Sequence, residues 1–452
     1  MLSVHDVTKN LLRTFPNEAL PPYIEKMDGM YFWTKDGGRY LDLTGGYTAH
    51  CIVGWNHERV KKAVIEQLSK YTHADYKMFS DPNRDELARL IASQSASGLD
   101  RVFFCGGAGA EACESAIHLS YQTHFELGKK QKFWYISREQ SYHGATSDAM
   151  SLGDRPNLRF YAPFFSKHRA KIPEHNKYRA KALGESDHDY CLRSVADLER
   201  KILEIGPENV GGFVAETIMG GLVGDVPPVD GYWRMIRDVC TRYDIHLIAD
   251  EVWCGTGTSG KWFCIDHDQV KPDFVFIGKT LASGYAPLSA VVTTSEIEDV
   301  IRSHSGRVEN SATFQGHSLS IAAALAVQRI VTGPGFLDDV ASKGQALRDR
   351  VMKHLQGSAR FFSNVRGRGL RNSIEYKCDS PQLFGLELST RMLKRHGIVV
   401  NGKWHRICLS PALVVDRAQL LDGVDTLCSE FLNLESEWPS MDKAKIQQKN
   451  FF

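Results

Sequence analysis

The stretch DFVFIGKTLASGYAPLSAV, residues 273–291, begins with an apolar strand pattern that ends in a glycine and a lysine. Residues 274–277 are all aromatic or β-branched, which is typical of a buried strand. Lys279 follows among small residues, where little water is expected to reach it. Loss of water lowers the pKa of a lysine and favours the neutral amine that attacks an aldehyde to form an imine. An ordinary surface lysine at a strand end is the alternative.

Four similar strand patterns precede this one, at residues 101–105 (RVFFC), 132–137 (KFWYIS), 209–216 (NVGGFVAE) and 245–252 (IHLIADEV). From about residue 55 they alternate with helix-period segments, which predicts an α/β fold with a mostly parallel central sheet. Glu216, Asp250 and Lys279 come at strand ends. Because ligands bind beyond the carboxyl ends of such strands, these three side chains are predicted to share one crevice.

The helix patterns divide the chain into a larger and a smaller part. Asp81 before Pro82 is a predicted N-cap, and the helix pattern after residue 318 is closed by Gly333 and Pro334. Beyond that point the helix and strand patterns alternate in a different way. The resulting division is a large domain over 55–333 and a smaller α+β domain over 334–452, joined by an N-terminal segment over 1–54 with a hairpin pattern near Gly37. Residues 154–195 lack periodicity and are predicted to be a long surface excursion.

Composition limits the classes of partner. The 55 Lys and Arg residues nearly balance the 54 Asp and Glu residues, so no nucleic acid or acidic membrane surface is expected as a partner. No run of 18 apolar residues predicts a membrane span. The ten cysteines show no C-x-x-C spacing and are expected to be reduced thiols. With acidic residues near the N-terminus at Asp6 and Glu18, a cytoplasmic location is predicted. No metal site is predicted.

A turn of small residues separates a strand from a helix in FFCGGAGAEACESAIHLSYQ, residues 103–122. Free backbone N–H groups at the helix start, at Gly109 and Ala110, could bind a phosphate. The loop also fits a dinucleotide-binding fingerprint, and so does Gly255-x-Gly257-x-x-Gly260. A tight turn that needs small residues remains open for both loops.

Asp250 ends an apolar strand, where a carboxylate without a partner is costly. A protonated pyridine nitrogen is one suitable cation, because its protonation lets a cofactor accept the electrons of a carbanion. A salt bridge or a helix cap is the alternative.

Four ordered motifs resemble those of the class III pyridoxal-phosphate-dependent aminotransferases, over residues 20–430. They are AGAEACESA (108–116), YHG (142–144), ADEV (249–252) and GKTLASGYAPLSAV (278–291). The resemblance implies the aspartate-aminotransferase-like arrangement of fold type I. It also implies pyridoxal 5'-phosphate as the cofactor and an amine or amino acid and a keto acid as the substrates.

In this resemblance Lys279 and Asp250 are the catalytic residues. Lys279 forms the Schiff base and later moves the substrate proton, while Asp250 pairs with the pyridinium. Tyr142 and Val252 would lie against the two faces of the ring, and Glu216 would lie near the cofactor. Four of these positions lie in the motifs above, and Glu216 matches the acidic residue of a further family motif at FVAETIMGG (213–221).

The phosphate contacts implied by the resemblance are the backbone N–H groups of Gly109 and Ala110. Thr313, in NSATFQGH, would reach the same phosphate from a second copy of the chain, which implies a homodimer with the active site at the subunit interface. Two departures stand out: Ala108 and Ala110 replace the usual serines, so a hydroxyl contact to the phosphate is lost.

The substrate site departs further from the family pattern. Many members have an arginine where this chain has Cys408 in CLSPAL, and Arg406 lies two residues earlier. On a strand both side chains share a face, so Arg406 is a candidate for binding a substrate carboxylate, with a structural salt bridge as the alternative. Tyr47, Trp55 and Phe79 are candidate pocket residues by position, or else core or interface aromatics.

Four functions therefore remain in competition. Amino-group transfer leads. A racemase or aminomutase of the same family would keep every cofactor residue. A nicotinamide oxidoreductase would need its fingerprint near a first strand, whereas this loop begins near residue 106. A non-enzymatic relative is disfavoured because Lys279 and Asp250 are both retained.

Overall fold

A computed structural model describes residues 21–446 together with Asn10, Leu12 and Thr14. The strands are β1 (Ile24–Asp28), β2 (Tyr31–Thr34), β3 (Arg39–Asp42), β4 (Arg101–Phe104), β5 (Trp134–Arg138), β6 (Arg169–Ile172), β7 (Val210–Glu216), β8 (His246–Asp250), β9 (Phe274–Ile277), β10 (Ala290–Thr293), β11 (Phe362–Arg368), β12 (Arg371–Tyr376), β13 (Ile398–Val399), β14 (Asn401–Lys403) and β15 (Arg406–Leu409).

The α-helices lie between and after these strands in the sequence. They are α1 (Glu58–Leu68), α2 (Pro82–Ser93), α3 (Gly109–Glu126), α4 (Ser147–Leu152), α5 (Lys177–Ala180), α6 (Asp187–Ile205), α7 (Tyr232–Arg242), α8 (Ser295–Ser303), α9 (Ser318–Val331), α10 (Phe336–Leu355), α11 (Pro381–His396), α12 (Arg417–Glu437) and α13 (Lys443–Ile446). The Asp81 carboxylate accepts the N–H of Asn83 at 3.0 Å, so the predicted N-cap of α2 is confirmed.

The central sheet has seven strands in the order β4-β10-β9-β8-β7-β5-β6. The five strands from β9 to β6 run parallel, and β10 is antiparallel to both of its neighbours. The predicted mostly parallel sheet is thus confirmed. Glu216 pairs in register with Asp250, and Asp250 with Phe276. The carboxyl ends of β7, β8 and β9 therefore lie side by side.

There are two smaller sheets, and the first of them combines strands from both ends of the chain. β1, β2, β3 and β13 form one, in which Ile398 pairs in parallel with Leu41. β11, β12, β15 and β14 form the other. An α+β part built from both chain ends is therefore present, as the fold type requires. The domain boundaries at residues 54 and 333 remain a prediction.

Residues 154–195 lie largely at the surface, as the sequence suggests, but they are not an excursion without regular structure. Within them β6 adds to the edge of the central sheet beside β5, and Tyr190 and Cys191 of α6 are buried. The strand sequence RAKI is too short and too polar to stand out as a strand, because it lies at the sheet edge.

All ten cysteines lie in the described part of the chain and are free thiols. Among the described residues no single helix is long and apolar enough to cross a membrane. The helices Ser318–Val331 and Phe336–Leu355 reach the length and hydropathy of a membrane span only when they are counted together, across the 70° bend between them.

Candidate active site

Asp250 is held at the end of β8 by two contacts. Only 4% of its surface is accessible. Its Oδ1 accepts the N–H of Val252 at 2.9 Å, and its Oδ2 lies 2.8 Å from Nδ1 of His143. Nε2 of His143 has no partner among the described residues. A carboxylate fixed in this way is oriented before any ligand arrives, and it is suited to a cationic ring nitrogen.

Lys279 begins a short turn directly after β9. Its backbone φ is +38°, and Gly278 before it approaches the backbone of Gly109 so closely that a side chain at position 278 would be tightly packed. The side chain is partly buried. Burial lowers the pKa of Lys279, the Asp250 carboxylate opposes this effect, and the charge of Arg371 adds to it. A lowered pKa supplies the neutral amine that attacks an aldehyde.

Glu216 lies beside Asp250 at the end of β7, as the register requires. It is buried, and one carboxylate oxygen, Oε2, has no partner among the described residues. Burial raises the pKa of Glu216 to about 7, against the effect of nearby His143. Glu216 and Asp250 are thus buried carboxylates on adjacent strands with different hydrogen bonding. Asp250 has two close partners, Val252 and His143, whereas Oε2 of Glu216 has none among the described residues.

The start of α3 faces the same region. Gly109 and Ala110 are its first two residues, and their N–H groups have no partner within the helix. A Cβ on Gly109 would lie 2.7 Å from Cγ1 of Val252, so only glycine lets the helix start reach this residue. The structure thus places the predicted anion-binding loop against Val252, just beyond the end of β8 at Asp250.

The remaining predicted cofactor residues occupy different positions. Val252 contacts Gly109, and Tyr142 lies under the guanidinium of Arg155 at 5.5 Å from its ring centroid. Thr313 is exposed, and its carbonyl lies 3.0 Å from Nε2 of His73. Its place on the surface is compatible with a contact to a second subunit.

The three aromatic candidates for the substrate pocket lie in different surroundings. Tyr47 has a positive φ of 65° in an irregular turn, and the ammonium of Lys403 lies 4.9 Å from its ring centroid. Trp55 packs edge-on against His50 at 5.6 Å. Phe79 is 65% exposed.

Arg406 lies in β15 with 1% of its surface accessible. Its two terminal nitrogens donate to the carbonyls of Leu222 and Gly221, each at 2.7 Å, and Nε contacts Sγ of Cys408 at 3.3 Å. These hydrogen bonds tie Arg406 to the backbone of the loop before α7, and none of them is made with a carboxylate. The salt bridge offered as the alternative is also not formed among the described residues.

Three residues near Lys279 had no assigned role in the sequence. His143 sits inside the YHG motif, and its Nδ1 contacts the Asp250 carboxylate. Trp253 lies 5.4 Å below the ammonium of Lys279, measured to the ring centroid, and Arg371 reaches the same indole. The sequence signals were the YHG motif for His143 and the adjacency to ADEV for Trp253, and Arg371 had none.

Comparison with known proteins agrees with this geometry. The sequence profile of the family "Aminotransferase class-III" matches residues 15–430. An uncharacterized aminotransferase of Schizosaccharomyces pombe is 31% identical over 433 residues, covering 92% of this chain and 94% of that protein. A probable gamma-aminobutyrate transaminase 4 of Oryza sativa subsp. japonica is also 31% identical, over 94% of this chain and 89% of its own length.

Among solved structures, the omega transaminase from Pseudomonas jessenii in complex with PMP is similar, with a TM-score of 0.90 and 26% identity over 97% of this chain and 99% of that one. The carboxylate of Asp250, the amine of Lys279 and the free N–H groups of α3 fit the ring nitrogen, the aldehyde and the phosphate of pyridoxal phosphate. The chain belongs to the class III aminotransferases, enzymes that use pyridoxal phosphate to move an amino group from an amine or amino acid to a keto acid.

Proposed function

We propose that this aminotransferase holds pyridoxal phosphate as a Schiff base on Lys279 and uses the same lysine to move the substrate proton. The observation that carries the proposal is the pairing of a partly buried Lys279 with buried Asp250 at the ends of the neighbouring strands β9 and β8. The opposite charges act on each other, since Asp250 raises the pKa of Lys279 that burial lowers.

Each side chain has a separate task in this proposal. Asp250, fixed by His143 and Val252, accepts the ring N–H and keeps that nitrogen protonated. The N–H groups at the start of α3 bind the phosphate. When bound, pyridoxal phosphate supplies the electron sink for the pair left on the substrate carbon. Tyr142 and Val252 confine the ring between them.

With the cofactor bound, Lys279 would give up its bond to the donor amine, and its freed Nζ would take the proton from the substrate carbon and deliver it to the imine carbon of the cofactor. A group that carries a proton in this way must titrate near the working pH. The lowered pKa of Lys279 serves that requirement. Water would then release the donor as its carbonyl product and leave its nitrogen on the cofactor, and a keto acid would take up that nitrogen along the reversed path and leave as the new amino acid.

The test of Lys279 uses the purified holoenzyme. Borohydride reduction followed by peptide mapping should place the reduced cofactor on Lys279, and Lys279→Ala should lose the visible absorption change on adding amine. Lys377→Ala, a change at an exposed lysine, is the matched control. The reduced adduct on another lysine, with activity intact in Lys279→Ala, would overturn the assignment.

A homodimer with the active site at the subunit interface is also proposed. Segments 72–77 and 311–319 pack together through His73–Thr313 and Lys77–Ser311 contacts. The large apolar side chains at this surface are exposed: Met78 by 74%, Phe79 by 65% and Phe314 by 63%. Exposed apolar groups next to Thr313 favour burial against a second subunit.

The substrate classes and the cellular location remain proposals as well. Relatives named as gamma-aminobutyrate and omega transaminases favour screening amines whose amino group lies away from a carboxylate alongside α-amino acids. Pyruvate and 2-oxoglutarate are the first acceptors to test. The free state of all ten cysteines supports a reducing, cytoplasmic location.

A further inference from the structure

Arg371 is a buried cation without a carboxylate partner. It begins β12, and 1% of its surface is accessible. Its Nε donates to the carbonyl of Trp253 at 2.9 Å, and its Nη2 donates to the carbonyl of Ala49 at 2.7 Å. Within the described part of the chain, Nη1 has no hydrogen-bond acceptor and no carboxylate lies within ion-pair distance of the guanidinium. An unpaired buried charge is costly, so a further anion would stabilise this site.

The nearest charges do not supply that anion. Asp225 acts on Arg371 electrostatically, but its two oxygens already accept the indole N–H of Trp253 and the hydroxyl of Ser373, each at 2.7 Å. Burial lowers the pKa of Arg371 to about 10, and this shift shows how weakly its charge is compensated. A guanidinium in that condition is suited to a carboxylate brought in by a ligand.

Arg371 and Lys279 face the same aromatic ring. The guanidinium carbon of Arg371 lies 5.0 Å from the ring centroid of Trp253, and Nζ of Lys279 lies 5.4 Å from it. The two cations are therefore no farther apart than the sum of these distances. Among the groups that act electrostatically on Lys279, Asp250 and Glu216 are carboxyl groups and Arg371 is the cation.

Three other cations are less well placed than Arg371 to bind a substrate carboxylate. The guanidinium of Arg406 is occupied by two backbone carbonyls and packs against Gly224, where an added Cβ would lie 2.1 Å from its Cδ. Arg155 and Lys403 rest on Tyr142 and Tyr47 instead of Trp253. Arg371 is thus the cation that combines burial, a free donor and proximity to Lys279.

We propose that Arg371 binds the carboxylate attached to the reacting carbon, so that the substrates include α-amino acids and 2-oxo acids, with Trp253 as the wall of the pocket between carboxylate and lysine. This inference rests on the proposed role of Lys279. The position also explains why Cys408 can replace the family arginine: the positive charge is supplied from β12 instead of β15.

The test compares substrates that differ only in the carboxylate. The half-reaction of the holoenzyme is followed in the visible spectrum with L-alanine and with L-alaninamide, in the unmodified enzyme and in Arg371→Met, Arg371→Lys and Arg406→Met. Arg371→Met should lower kcat/KM for alanine by about 100-fold and for alaninamide by less than about threefold, as expected for one charge-assisted contact. Arg371→Lys should restore part of the difference.

A second readout does not depend on turnover. Titration calorimetry with propionate, which carries no amine, should show binding to the unmodified holoenzyme and about 100-fold weaker binding to Arg371→Met, whereas propionamide should bind both alike. Arg406→Met should weaken alanine and alaninamide equally, because its contacts are structural. Thermal unfolding of each variant shows whether the fold is retained.

The outcomes separate the two proposals. No reaction of the unmodified enzyme with any amine would overturn the role of Lys279. Reaction with simple amines but with no α-amino acid or 2-oxo acid would overturn the assignment of Arg371 alone. Equal losses for alanine and alaninamide in Arg371→Met, or a selective loss in Arg155→Met or Lys403→Met instead, would do the same.

Discussion

The Glu216 carboxylate lies in a low-dielectric position between Asp250 and the loop that begins at Gly220. The N–H of Gly220 reaches its Oε1 only at 3.4 Å, and Oε2 has no partner among the described residues. Burial raises its pKa from 4.5 to about 7. The folded protein therefore prefers this carboxyl group protonated, whereas in the unfolded chain it ionises at a lower pH.

This difference predicts a pH-dependent stability. Because the pKa is raised in the folded state, the stabilising contribution is complete below pH 4.5 and is lost as the pH rises through about 7. In the cofactor-free protein, Glu216→Gln should therefore become more stable than the unmodified chain by up to about 3 kcal/mol between roughly pH 5 and pH 8.5. Urea unfolding across this range measures the difference. Parallel stability curves would contradict the raised pKa, and Glu139→Gln, at an exposed carboxylate, is the control.

At the scale of elements, helix α3 lacks the side-chain cap that its position calls for. Its N-cap residue is Ala108, which has extended backbone angles and no side-chain hydrogen bond. Glu111, three residues later, already turns back and accepts the N–H groups of Gly106 and Gly107 at 2.9 and 3.1 Å. Glu111 therefore occupies the glutamate position of a capping box, but it accepts the N–H groups of the two residues before the N-cap instead of that of Ala108.

Ala108→Ser should complete this cap. The new hydroxyl can accept a free N–H in the first turn of α3, so the cofactor-free protein should gain about 1 kcal/mol in its free energy of unfolding. Denaturant titration gives this value, and Ala96→Ser, outside any helix, is the matched control. If phosphate and hydroxyl compete for the same N–H, the gain will shrink when pyridoxal phosphate is added. An unchanged or lower stability in the cofactor-free state would refute the open cap.

The elements themselves were predictable because local rules decide them. Strands β4, β7, β8 and β9 fall within the apolar patterns, and β5 exceeds its pattern only by Arg138. Asp250 and Lys279 were found because they are polar residues at strand ends. The short polar edge strand β6 was not predictable. The contacts of Arg371 were not either, because it meets Ala49 from 322 positions away along the chain. A single sequence defines which residues end a strand, but not which distant backbone carbonyl an arginine reaches.

At the scale of the whole molecule, the start of α3 borders an open cavity. Between α3 and residues 310–315 there is an open cavity of about 450 Å³, lined by Ala108, Glu111, Asn310 and Ala312 among others. The exposed Thr313 lies on the same segment, next to the 63% exposed Phe314. The second subunit that we propose would cover the apolar side chains here and close the proposed phosphate site.

Phe314→Asp should therefore separate the subunits and weaken cofactor binding together. A charge at this position leaves a buried, unpaired carboxylate in the interface, which should cost several kcal/mol and shift the protein to monomers at micromolar concentration. Light scattering after size exclusion measures the mass, and the visible absorption measures the bound cofactor. Leu203→Asp, at a 57% exposed residue of α6, controls for an added surface charge. A dimer that persists in Phe314→Asp with full cofactor occupancy would place the interface elsewhere, and a monomer that retains its cofactor would show that Thr313 of a second subunit is not needed to hold the phosphate.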